Sequence, residues 1–281
     1  SGHSGIHYSG NNIIIRYNYI DVFGVIKEDC CGVQYSGGAT YSNMKVLNNI
    51  ILNGLGSPGG KPAGSYHWVA GVGLDYYTTG GYEISNNTIY NVKNLAGISL
   101  SGSQNVIIKN NTVFDCSGGV RMQELGGMGS PTRNVTMTGN IIFSKNVTYT
   151  PMLLYSTTND FNQFGTFNYN YYARPLNNSK PIITGVSSVV TARTLADWQA
   201  LSGLDLNSGI SPVTLKDTAD IDFYFNPTKS DKVILLPKPM IDVKGVKYTG
   251  TITLEPFTST VLMVDPDPTP SGEAPLYLNS S

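Results

Sequence analysis

The sequence predicts an all-β chain: a parallel β-helix followed by a small C-terminal antiparallel β-sandwich-like module. Three observations carry this. An Asn-rich motif recurs as NNIIIRYNYI at 11–20, NMKVLNNIIL at 43–52, GYEISNNTIY at 81–90, NVIIKNNTVF at 105–114 and NVTMTGNIIF at 134–143, with a worn copy, FNYNYY, at 167–172. A second motif runs in step: GIHY at 5–8, GVQY at 32–35, GVGL at 71–74, GISL at 97–100, GVRM at 119–122 and a Gly-less MLLY at 152–155. Between them no amphipathic helical period appears, so strands follow strands.

Aligned on the Asn that precedes x-[Ile/Val], the first motif picks out Asn18, Asn49, Asn87, Asn111, Asn140 and Asn170, at intervals of 31, 38, 24, 29 and 30 residues by subtraction. Repeats of roughly 20–50 residues mark solenoids, propellers or arrays. Each repeat reads as two short strands of β-branched and aromatic residues, which suits stacked coils of parallel strands. An Asn at a coil corner tolerates left-handed geometry and can bond the next coil's backbone, building a ladder.

Composition fits a solenoid. At 281 residues the chain exceeds the usual single-domain size, which solenoids escape by adding coils. Charged residues make up 13 % and the net charge is −1, so there is no electrostatic footprint for nucleic acid. No apolar run approaches the ~18 residues of a transmembrane helix. Cys30 and Cys31 are adjacent and Cys116 is distant, which makes neither a disulfide framework nor a zinc spacing. All three read as small buried residues. Asn-x-Ser/Thr sequons such as those starting at Asn86 and Asn134 arise naturally in Asn-rich repeats and carry little weight.

Period-2 alternation assigns the faces of the first strand of each coil. Ile6 and Tyr8, Val33 and Tyr35, Val72 and Leu74, Ile98 and Leu100, and Val120 and Met122 face the core. The outward column then reads His7/Ser9, Gln34/Ser36, Gly73/Asp75, Ser99/Ser101 and Arg121/Gln123. With strands about 4.8 Å apart, five rungs span roughly 20 Å, the length of several sugar rings. Three long connections lie beside this column. The 21–31 loop carries Lys27, Glu28 and Asp29; the Gly/Pro-rich 53–70 loop ends in Tyr66, His67 and Trp68; the 123–133 loop brings Glu124. Long loops of repeat proteins cluster on the functional face. Trp68, Tyr66, Tyr76 and Tyr77 are the candidate stacking platforms.

The strings DCCGVQY at 29–35, GVGLDY at 71–76, NNTI at 86–89 and NNTV at 110–113 resemble right-handed parallel β-helix proteins of the pectate-lyase-like superfamily. The nearest likeness is to secreted bacterial β-helix glycoside hydrolases and polysaccharide lyases, over about residues 1–175. The resemblance implies binding of an extended polysaccharide on the outer face. It implies either a pair of catalytic carboxylates or a Lys, Arg, His or Tyr base, often with calcium. Hydrolysis needs carboxylates about 5–10 Å apart, one of them protonated. Asp75 and Asp29, on adjacent rungs, fit that need, with Glu28 and Glu124 in reserve. For the lyase reading the bases are Lys27, His7, His67 and Arg121, but no clustered carboxylates suggest a calcium cage and the lyase signature motifs are not legible. No cofactor or metal is assigned. The hydrolase reading leads, with Gln34, His7, Lys27, His67, Trp68, Tyr76 and Arg121 as substrate-binding residues.

The remaining elements divide the chain into a β-helix over 1–192, a helix and connection over 193–208, an antiparallel module over 209–265 and a Pro-rich linker over 266–281. Thr194 is the predicted N-cap of a short helix, Asp197 its third position and Gly203 its C-cap. The phrase LADWQALSGLDLNS at 195–208 resembles one that follows the coils of such enzymes. DFYFNP at 222–227, KVILL at 232–236, MIDV at 240–243, KYT at 247–249 and TITLEPFTSTVLM at 251–263 read as strands of a module packed against the helix end. LEPFTSTVLM at 254–263 resembles the last strands of a C-terminal domain in bacterial glycosidases. APLYLN at 274–279 resembles the opening strand of a further domain. The chain enters a repeat strand without a cap, which predicts that N-terminal coils are missing and that the whole is a fragment of a larger secreted or cell-surface bacterial protein with flanking domains. Two function classes follow: a secreted polysaccharide-degrading enzyme, or a non-catalytic adhesin or spacer that displays a glycan-binding face.

Overall fold

A computed structural model describes residues 1–35, 41–57, 67–76, 78–126, 130–268 and the strand Tyr277–Leu278. Three parallel sheets form a β-helix. The first stacks Ile6–Tyr8, Cys30–Tyr35, Val69–Leu74, Ala96–Ser101, Gly118–Gln123, Thr150–Ser156 and Ile182–Val186, and ends in the antiparallel strand Val189–Arg193. The second runs from Ile14–Arg16 to Gly165–Asn168, and the third from Tyr19–Phe23 to Tyr171–Ala173. Each coil therefore carries three strands, where the sequence suggested two. The Asn motif is itself a pair of strands, broken at the corner in its middle: Ile14–Arg16 and Tyr19–Phe23 in the first copy.

That corner is held by the expected ladder. The Oδ1 of Asn111 accepts from the backbone N–H and the Nδ2 of Asn87, both at 3.0 Å. Its own Nδ2 donates to the Ile84 carbonyl at 2.8 Å and to Asn140 Oδ1 at 2.9 Å. All four side-chain valences are thus filled in a fully buried position. The same pattern links Asn18 to Asn49, Asn49 to Asn87 and Asn140 to Asn170. The left-handed geometry expected of these Asn residues belongs instead to the residue before each: Tyr17, Asn48, Asn86, Asn110, Gly139 and Tyr169 all have φ between 51° and 69°. One residue turns the chain and the next bonds the coils.

The recurring Gly has a packing cause. A Cβ at Gly32, Gly71, Gly97 or Gly119 would collide with a methyl of Ile51, Ile89, Val113 or Ile142, which cross the narrow interior from the third sheet. The predicted core positions Val33, Val72, Ile98 and Val120 are fully buried, as are Leu74, Leu100 and Met122.

The far end is closed by the helix Leu195–Ser202. Thr194 and Asp197 form a capping box, with Asp197 N–H donating to Thr194 Oγ1 at 3.0 Å, and Gly203 ends the helix at φ 71°. The helix seats Trp198 over the last coil, against Phe161 and Phe167. The Trp198 indole N–H donates to Asp205, which also accepts from Asn170 at the end of the ladder.

The C-terminal module comprises a four-stranded antiparallel sheet (Ile221–Phe225, Ser259–Val264, Met240–Ile241, Lys247–Tyr248) and a three-stranded one (Lys232–Leu235, Thr251–Leu254, Tyr277–Leu278). It lies along the flank of the β-helix, where the sequence suggested the end. Phe223 packs on Tyr90 and Phe114 of the third sheet, Phe225 on Tyr19 of the first coil, and Thr88 Oγ1 donates to Ser259 Oγ at 2.7 Å. The reason is the outward column Leu52, Tyr90, Phe114, Phe143, Ala173, which is apolar and needs a cover. Tyr277–Leu278 pairs with Thr253–Leu254, so this strand joins the module's own sheet. Among the described residues no helix is long and apolar enough to cross a membrane.

Asn111→Ala strands several buried donors and acceptors, and is expected to cost about 3 kcal/mol or more in denaturant unfolding. Asn11→Ala removes only exposed bonds to Ser42 and should cost under about 1 kcal/mol.

Candidate functional site

The C-terminal module packs on the third sheet, and on the outer face of the first sheet paired residues fall into three adjacent columns. Cys31, Ala70 and Ala96 share the first. His7, Gln34, Gly73, Ser99, Arg121 and Leu153 share the second, as the alternation predicted. Asp75 lies one residue beyond Leu74, its N–H donating to the Tyr35 carbonyl at 3.2 Å, and leads into the third column of Ser101, Gln123 and Tyr155.

Gly73 interrupts the middle column, and there the face hollows into a cleft of about 330 Å³. Asp29, Gln34, Asp75, Ser99 and Ser101 give it a polar side, Cys31, Ala70 and Leu95 an apolar side, and Trp68 and Tyr76 stand at its mouth. A side chain cannot replace this hydrogen cheaply, because a Cβ at Gly73 would collide with Cys31 Sγ.

Burial pushes the Asp75 carboxyl above the ordinary aspartate value; the hydrogen bond from Gln34 opposes this, the Asp29 charge adds to it, and His7 opposes it. Gln34 is itself buried, and its Oε1 accepts from Ser4 Oγ, which leaves its amide N for Asp75. Asp29 sits immediately before its strand at φ 58°, on the exposed rim. The Trp68 backbone is fixed from both sides: its N–H donates to Glu28 Oε2 at 3.0 Å, and its carbonyl accepts from Cys30 N–H at 3.1 Å. Its ring lies 5.5 Å from the Arg121 guanidinium, which also faces Tyr155 at 5.8 Å and reaches Ser99 Oγ at 3.4 Å. Arg121 therefore stiffens an aromatic wall beside the cleft.

The structure thus brings Asp75, Asp29, Gln34, Trp68 and Tyr76 together, with His7 and Arg121 on flanking rungs. It does not bring Lys27, which lines a separate surface hollow with Gly2, His3 and Ile26. Glu124 is buried in a different network, accepting from the Thr132 and Thr157 N–H groups at 3.0 Å and from Arg133 at 2.9 Å. Its lone pairs anchor the 123–133 loop, and it is not among the cleft-lining residues. Glu28, the other reserve, is committed to Trp68. His67 is half-buried, its Nδ1 enclosed without a hydrogen-bond partner among the described residues, and it is not among the cleft-lining residues. Ser36, Tyr77 and residues 58–66 of the 53–70 loop, Tyr66 among them, lie outside the described residues. The apolar side of the cleft escaped sequence reasoning. Its only trace was the repeated small residue one step before each Gly, at Cys31, Ala70 and Ala96.

A family match agrees with this architecture. The family model described as the right handed beta helix region matches residues 65–165, from the loop that carries Trp68 into the sixth coil. The coils are those of a right-handed parallel β-helix. Comparisons with curated proteins and with solved structures give no significant match.

The raised pKa of Asp75 has a stability consequence. The folded chain holds this proton more tightly than the unfolded one, so stability falls as pH rises from the ordinary aspartate value through the raised one. Asp75→Asn is therefore expected to raise the melting temperature at pH 7. That gap should close as pH falls below about 3.9. A gap independent of pH in thermal scans would show that Asp75 is not desolvated.

Proposed function

We propose that this chain is a polysaccharide-active, glycoside hydrolase-like protein that binds an extended glycan along the first sheet and cleaves it at Asp75. The observation that carries this is a desolvated carboxylate sharing one aromatic-walled cleft with a second carboxylate. Asp75, whose proton burial holds more tightly than that of an ordinary aspartate, is the general acid that protonates the leaving oxygen. Asp29, on the open rim, is the partner that activates water or attacks the sugar carbon. Gln34 orients Asp75, His7 and Arg121 position the chain on neighbouring rungs, and Trp68 and Tyr76 hold the apolar faces of sugar rings. Such a substrate puts the protein outside the cell or on its surface.

The test is a polysaccharide panel offered to the wild type and to Asp75→Asn, reading reducing ends together with the ultraviolet absorbance of an unsaturated uronate. New reducing ends without absorbance, falling about 100-fold or more in the variant, are expected. Absorbance would make the reaction a β-elimination and remove Asp75 as acid. Retention on an immobilised glycan without either signal would move the reading to a non-catalytic adhesin. Wild-type activity should fall as pH rises through the raised Asp75 pKa, because the acid form does the work. Trp68→Ala should weaken binding about tenfold, 1.4 kcal/mol, with kcat little changed.

A further inference from the structure

The cleft has two unlike sides, and the proposed chemistry uses only one. Opposite Asp75, the side chains of Cys31, Ala70 and Leu95 are almost fully buried and pack with Ala96 as a small hydrophobic cluster separate from the core of the β-helix. This cluster lies on the outer face of the sheet, beside a column that carries Gln34, Ser99 and Arg121. It begins at the bare Gly73, since a Cβ there would collide with Cys31 Sγ and stand 4.0 Å from the Ala70 Cβ. Burial, with the Asp75 charge second, raises the Cys31 thiol well above its ordinary value and keeps it neutral. The wall thus offers one weak thiol donor and no strong hydrogen-bonding side chain.

Sugar rings are normally rimmed by hydroxyls, each of which loses water on entering such a wall and finds no strong partner there. A methyl group suffers no such loss. We propose that the cleft selects a sugar with a methyl-terminated ring substituent, either the C6 methyl of a 6-deoxyhexose or the methyl of an acetamido group, seated on Cys31, Ala70 and Leu95. The ring then lies across the strands, with its methyl on the apolar side and its glycosidic oxygen toward Asp75. This deepens the glycan-binding reading above and rests on it.

The test compares matched methyl glycosides by saturation-transfer NMR titration against the full chain: L-fucoside with L-galactoside, L-rhamnoside with L-mannoside, and N-acetylglucosaminide with glucoside. A preference of about tenfold or more for the methyl-bearing member is expected in one set. The two deoxy pairs identify a C6 methyl and the third pair identifies an acetamido group. Cys31→Ser keeps the shape but adds a hydroxyl, and should narrow that preference while the thermal transition of the variant reports that it is folded. If no pair shows a preference while the polysaccharide panel still shows cleavage or retention, the inference falls and the glycan reading stands. If neither the glycosides nor the panel give any signal, both fall.

Discussion

The interaction on which the molecule depends is the line of hydrogen bonds from Asn18 through Asn170 to Asp205. A solenoid corner buries backbone amides that no regular sheet can pair, and an unpaired buried donor costs about 1–3 kcal/mol. The ladder meets that demand once per coil with an identical side chain, so every coil must stack in the same register as the last. Register then decides everything outside. Because Val33 sits over Val72 and Ile98 over Val120, Gln34 must sit beside Gly73 and Ser99 beside Arg121. The cleft is a consequence of core stacking read from the other side of the sheet.

Face by face, the β-helix is a three-sided prism with a different fate on each side. Third-sheet side chains Tyr90, Phe114 and Phe143 are apolar and are covered by the C-terminal module. The second sheet faces solvent with ordinary surface pairs such as Lys45 and Glu83, 3.3 Å apart and both partly exposed, which contribute little to stability. Among the described residues, the first sheet sets polar columns beside Asp29, Trp68 and Tyr76 of its flanking connections. Without the module on the opposite flank, the outer surface would hold two unlike faces competing for partners.

Asp75 and Glu124 show how surroundings set the role of like groups. Both are acidic residues next to first-sheet strands. Glu124 accepts from two backbone N–H groups, from Arg133 and from the hydroxyls of Ser156 and Thr157, and so serves as a loop anchor. Asp75 receives one amide from Gln34, faces a second acid and loses water to the cleft walls, so its ionised form is the disfavoured one. Few bonds and much burial hold a proton more tightly; many bonds make a fastener.

The sequence by itself determined the β-helix, because its signals are local and repeated: the Asn at each corner, the Gly where the third sheet's methyls cross, the alternation that separates Val33 from Gln34. Thr194, Asp197 and Gly203 likewise determined their helix through short-range capping. Asp75 and Asp29 were legible as a pair, since adjacent rungs follow from the repeat. Tertiary structure decided what depends on distant chain segments. It divided each Asn motif into two strands, laid the module along the flank where Phe223 meets Phe114, and spent Glu124 on its own loop. It also gathered Cys31, Ala70 and Leu95 into an apolar wall facing Asp75. These outcomes turn on how much water each group loses, and that is set by neighbours the local pattern does not name.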